Sequence, residues 1–118
     1  MFLQLAHTKL DVYKQSYALT LEAYRITKDL PEFERFTLIS QIRRAAISVR
    51  LNIAEGCSRK SNIERKRFFE VARGSVIEID SALDIVVGLH YIEQSGLRKI
   101  GDLIVTTFKE LSGLIEKP

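Results

Sequence analysis

The chain has 118 residues, 46% hydrophobic and 28% charged, with two prolines and six glycines, which suits one folded domain over residues 1–118 and excludes a disordered one. Its 18 Lys and Arg stand against 15 Asp and Glu, a formal net charge of +3 that by itself excludes little. The single cysteine, Cys57, excludes an intrachain disulfide and fits a reducing cytoplasm.

Residues 1–8 are expected to be a loose lead-in. The opening MFLQLAHTKL lacks a charged segment followed by a long apolar core, so a signal peptide is not expected. No apolar run approaches the roughly 18–20 residues that span a bilayer. The expectation is a cytoplasmic protein with no membrane partner. A first helix is predicted over residues 10–30, ended by Pro31. It carries two apolar stripes on nearly opposite sides. One is Leu10, Tyr13, Tyr17, Leu21 and Tyr24; the other is Val12, Leu19, Ala23, Ile26 and Leu30. Two stripes imply burial on two sides, and Val12, Leu19, Ala23 and Ile26 are assigned to an interface between subunits.

The stretch PEFERF, residues 31–36, reads as a short connection whose acids suit a helix N-terminus. A second helix is predicted over residues 37–55, with Leu38, Ile42, Ala45, Ala46, Val49 and Ile53 inward. Gly56 sits where a left-handed glycine would stop it. Ser61 and Glu64 form a capping box that opens a third helix, residues 62–91. Its core face is expected to be Phe68, Ala72, Ser75, Ile79, Ala82, Val86 and Leu89, with a close helix crossing at Gly74. A fourth helix, residues 97–115, turns Leu97, Ile100, Ile104, Phe108, Leu111 and Ile115 to one side. Short connections make an antiparallel, up-down-up-down four-helix bundle the expected fold.

Charge is uneven along the chain. Residues 35–67 hold nine bases and two acids, net +7, while the remainder is net −4. Such asymmetry suggests a polyanion partner. Arg50, Arg59, Lys60, Arg65, Lys66 and Arg67 are the candidate phosphate contacts, with RNA the favoured nucleic acid. A helix-turn-helix reading fails because both flanking helices are too long and the third carries a full core stripe.

The sequence carries little reaction chemistry. His7 reads as a solvated terminal residue and His90 as an edge histidine, and neither pairs with Cys57 at metal-ligand spacing. Cys57 has Arg59 and Lys60 beside it, which favour a thiolate, and a helix C-terminus, which opposes one. There is no Gly-rich phosphate loop and no E-x-x-H pair of the di-iron type. No catalytic residue, no metal and no cofactor are expected. The acids read as partners of arginines.

Three motifs carry a resemblance: QIRRAA at residues 41–46, NIAEG at 52–56, and ARGS at 72–75 followed by Glu78. With them the chain resembles the ribosomal-RNA intervening-sequence proteins over residues 10–114. The resemblance implies a four-helix bundle that assembles as a ring, typically a homopentamer, with no established catalytic activity. Some members of that family are encoded within large-subunit ribosomal RNA genes. A related branch is similar to the accessory protein of diversity-generating retroelements, which binds nucleic acid and a reverse transcriptase. The shared Arg43, Arg44, Glu55 and Arg73, with Glu78, then read as a structural ion-pair network between helices two and three. Where the family commonly has a proline before NIAEG, this chain has Arg50. A non-enzymatic, oligomeric RNA-binding protein is the expected function. The alternative is a protein-interaction scaffold, such as an accessory subunit of a polymerase.

Overall fold

Apolar residues at helical spacing produce four long helices: α1 (Asp11–Thr27), α2 (Ser40–Ser58), α3 (Asn62–Gly88) and α4 (Arg98–Glu116). The computed structural model describes residues 1–117 and contains no strand among them. The lead-in is not wholly loose, since Ala6–Lys9 forms a 3-10 turn and His7 packs edge-on against Tyr13 at 4.8 Å. Side-chain contacts fix the helix directions. Tyr13 meets Arg50, Thr20 meets Ala46 and Thr27 meets Arg43, so α1 and α2 run oppositely. Gln41 meets Glu78, and Ser48 meets Ser75, which reverses α3 against α2. Lys66 reaches Lys117 and Arg73 reaches Ser112, which reverses α4 against α3.

α1 also packs on α4, where Glu22 is buried. Its carboxylate accepts two hydrogen bonds from Arg25, at 2.8 and 2.5 Å, and Lys99 lies 3.9 Å away. The Arg25 hydrogen bond, with the charges of Arg25 and Lys99, outweighs burial and holds the Glu22 carboxyl below the usual range.

The stripe assigned to a subunit interface is core. Val12, Leu19, Ala23 and Ile26 are buried within the single chain, against the inward faces of the other helices. The opposite stripe faces out instead: Tyr17 is 54% exposed and Leu21 53%. The core face of α3 is rotated slightly from expectation. Phe69, Val76 and Leu83 are buried, whereas Leu89 is exposed. In α4, Thr107 takes the inward position and Phe108 lies at the surface.

The helix ends differ from the sequence reading in instructive ways. α1 stops at Thr27, three residues early, and the backbone tightens as the Leu30 amide bonds the Thr27 carbonyl. The 31–36 connection is not a plain turn. A 3-10 turn (Glu32–Glu34) and one turn of π-helix (Arg35–Ile39) run straight into α2. α2 continues through Gly56 to Ser58, and no glycine has a positive φ. Gly56 is required for space: a Cβ there would lie 2.7 Å from the Phe69 ring. At Gly74, where a close crossing was expected, an added Cβ meets nothing within 4 Å.

The left-handed residue is at the end of α3. His90 has φ 61°, with its amide bonded to the Val87 carbonyl and the Tyr91 amide to that of Val86. This is a Schellman cap with histidine in the position glycine usually takes. A side chain there costs about 1–2 kcal/mol. His90→Gly is therefore expected to raise stability by about 1 kcal/mol, seen as a higher urea midpoint at unchanged slope.

Candidate nucleic-acid interface

Six basic residues were candidates, and the fold gives them different work. Ser61 caps α3, its hydroxyl accepting from the Glu64 amide at 3.2 Å, so this N-cap sets where the basic segment turns. Arg65 then reaches back across the turn. Its guanidinium donates to the carbonyls of Cys57 (3.4 Å) and Arg59 (3.3 Å) at the C-terminus of α2. A cation suits that end of a helix, so Arg65 serves as a cap. Lys66 donates to the Lys117 carbonyl beyond α4. Arg59 pairs with Glu55 at 2.9 Å and lies over the Phe68 ring at 4.9 Å.

Arg50 departs furthest from the phosphate-contact expectation. Its guanidinium carbon sits 3.8 Å from the centre of the Tyr13 ring and 5.0 Å from that of Tyr17. It also donates to the Tyr13 carbonyl at 2.8 Å. Two tyrosines four apart on α1 present neighbouring ring faces, which draw the cation in. Lys60 and Arg67 are left exposed, with no ion pair among the described residues. They form the open cationic part of the turn.

The expected ion-pair network between α2 and α3 is absent among the described residues. Arg43 lies 4.7 Å over the Tyr24 ring and donates to the Thr27 hydroxyl at 2.8 Å, facing α1. Arg73 lies 5.7 Å over the Phe108 ring and donates to the Ser112 hydroxyl at 3.1 Å, facing α4. Glu78 accepts from Gln41 at 3.2 Å, Glu55 pairs only along its own helix, and Arg44 is exposed. Each of these two arginines, Arg43 and Arg73, turns its guanidinium to an aromatic face on a flanking helix, α1 for Arg43 and α4 for Arg73.

Cys57 is half-buried beside Arg65. Burial pushes its thiol up and outweighs the arginine charge, so it stays a protonated packing residue. Among the described residues no three His, Cys, Asp or Glu side chains gather to hold a metal, and no helix is long and apolar enough to cross a membrane.

The 31–36 stretch, expected only as a short connection into the second helix, exposes two aromatic rings. There Phe33 is 77% exposed and Phe36 84%, an unusual pair for a connection. Tyr91 steadies the segment from the α3–α4 side, its hydroxyl donating to Glu34 at 2.8 Å and its ring edge-on to Phe33. The Thr37 and Tyr91 hydroxyls hold the Glu34 carboxyl below its usual range. Two phenylalanines inside a polar connection were the available signal.

The fold and this turn define a small all-α, four-helix protein with an open cationic corner. The chain belongs to the 23S rRNA-intervening sequence proteins, whose family model matches residues 8–113. A solved structure with the same fold is a protein with unknown function from the S23 ribosomal protein family of Bacteroides thetaiotaomicron. It is 21% identical, with a TM-score of 0.82, and the match covers 90% of this chain and 99% of that one. No functionally curated protein matches the sequence.

Arg50→Ala removes two ring contacts and hydrogen bonds to the Tyr13 carbonyl and the Ser16 hydroxyl, and is expected to cost about 1–3 kcal/mol. Arg44→Ala, on the exposed side of the same helix, should stay within about 0.5 kcal/mol. Paired urea unfolding curves test the contrast.

Proposed function

We propose that this is a non-enzymatic, oligomeric nucleic-acid-binding protein with RNA as the favoured ligand. The observation that carries the reading is the α2–α3 turn, where Lys60 and Arg67 stand open while Arg59, Arg65 and Lys66 crowd the same corner. Family membership supports an RNA-related role, since the family takes its name from sequences inserted in 23S rRNA. Open lysine and arginine side chains contact phosphates without reading bases, so affinity would be general and strongly salt-dependent. Replacing Lys60 and Arg67 together with Ala is expected to weaken binding to structured RNA and to lower the salt slope by about 2. Unchanged affinity and slope across a potassium chloride series would refute the assignment.

Assembly is the second half of the proposal. The α1–α2 flank carries Tyr17, Leu21, Ile47 and Leu51, each at least 37% exposed. The opposite, α3–α4 flank exposes Ile77 and Val105 beside a cavity of about 280 Å³ that Phe108 and Lys109 also line. Two unlike apolar flanks suit head-to-tail contact, which closes as a ring where the rotation allows. The family resemblance implies five copies. Repetition would multiply the cationic corner and raise avidity without any stronger single contact. Leu21→Lys, at a position already half exposed, should leave the bundle folded. Its mass in solution should fall to that of one chain, and an unchanged mass would remove this flank from the interface.

A further inference from the structure

The two ends of the bundle differ. The end described above gathers the α2–α3 turn. The other end, roughly 28 Å away along the 19 residues of α2, holds the 31–39 segment. A polar cavity of about 230 Å³ opens there, lined by Thr27, Lys28, Leu30, Glu32, Arg35, Ile39 and Arg43. It brings together three cations and one carboxylate. Glu32 is committed to Arg35 at 2.6 Å, and Glu34 to Thr37 and Tyr91. Lys28 and Arg43 have no ion pair among the described residues. Arg43 is held in place by the Thr27 hydroxyl and the Tyr24 ring, so its guanidinium is oriented in advance.

Beside the cavity stands Phe36, 84% exposed. Arg35 joins the two features: it lines the cavity and its guanidinium carbon lies 5.6 Å from the Phe36 ring centre. One ring face is thus backed by a cation, and the other is open. A flat aromatic surface next to a small cationic cavity is the pairing that a nucleotide needs, base on the ring and phosphate among the cations. A duplex offers no free base face, so the site selects unpaired nucleotides. The π-helical turn projects Phe36 outward from the start of α2, and such turns often mark functional positions.

We propose that Phe36, Lys28, Arg35 and Arg43 form a site for one nucleoside-phosphate unit of unpaired nucleic acid. The base stacks on Phe36, which Arg35 backs, and the phosphate sits against Lys28 and Arg43, the two cations without an ion pair among the described residues. The site is separate from the cationic turn and does not depend on that reading or on assembly.

The test uses the full chain and fluorescently labelled single-stranded tetra-adenylate RNA, with titrations of Phe36→Ala, Lys28→Ala and the Lys60/Arg67 double variant. Phe36→Ala changes an exposed side chain and is expected to fold normally. It should weaken tetra-adenylate binding about tenfold, the effect of losing one stacked base. Lys28→Ala should weaken it less and should flatten the salt dependence. Adding Phe36→Ala to the Lys60/Arg67 variant should weaken tetra-adenylate binding by the same factor as in the parent, whatever the double variant itself does to RNA affinity. Equal affinity of parent and Phe36→Ala would overturn the proposal. So would a fall in the mass of Phe36→Ala without loss of RNA affinity, which would make Phe36 a protein contact. Adenosine monophosphate is the comparison ligand. Weaker binding of the mononucleotide than of tetra-adenylate supports nucleic acid as the source, and tighter binding overturns it in favour of a free nucleotide.

Discussion

Ser48 and Ser75 share a hydrogen bond of 2.9 Å across the contact between α2 and α3, with Ala45, Ala46, Ala72 and Gly56 packed along the same pair of helices. Small side chains let the two backbones come close, and the hydroxyl pair satisfies the polar groups that this closeness buries. Larger buried residues of both helices, among them Ile42, Ile53, Phe69 and Ile79, fill the core around this contact. Phe69 is seated against Gly56, which fixes how α3 leaves the turn, and α1 and α4 are added outside this central pair. Packing of this kind tolerates little enlargement, because the neighbouring atoms have nowhere to retreat.

The arginines of α2 and α3 turn away from this contact. Arg43 and Arg50 leave α2 toward α1, and Arg73 leaves α3 toward α4. Each finds an aromatic ring and an oxygen acceptor there. A guanidinium over a ring face keeps part of its hydration while its stem covers apolar surface. The result is a tie between helices that salt would weaken less than an exposed ion pair. It also hides positive charge: much of the net +7 of residues 35–67 is engaged by rings and carbonyls.

The helices were legible because apolar periodicity and the Ser61 cap are local signals. The rotation of α3 was not, since Phe68 and Phe69 are adjacent and only the space left by Gly56 decides which ring turns inward. Glycine at position 56 advertised a helix stop, yet its role is clearance, and the left-handed position fell to His90. Sequence showed that α1 had two apolar sides but not which one the other helices would cover. For the basic segment, residue type located the corner. It could not separate Lys60 and Arg67 from Arg65, whose partners are backbone carbonyls that no sequence pattern marks.

Leu10 and Asp11, where α1 begins, line one cavity with Gly113, Leu114 and Lys117, close to the point where Lys66 meets the Lys117 carbonyl. The start of α1 and the end of α4 therefore share a pole with the cationic turn, while Phe36 and Tyr91 occupy the other. A bulky group attached where α1 begins or where α4 ends would crowd the basic corner. One placed in the 31–39 segment would leave that corner clear. Attachment to a surface at the basic pole would likewise present the phenylalanines to solution and screen the arginines and lysines opposite.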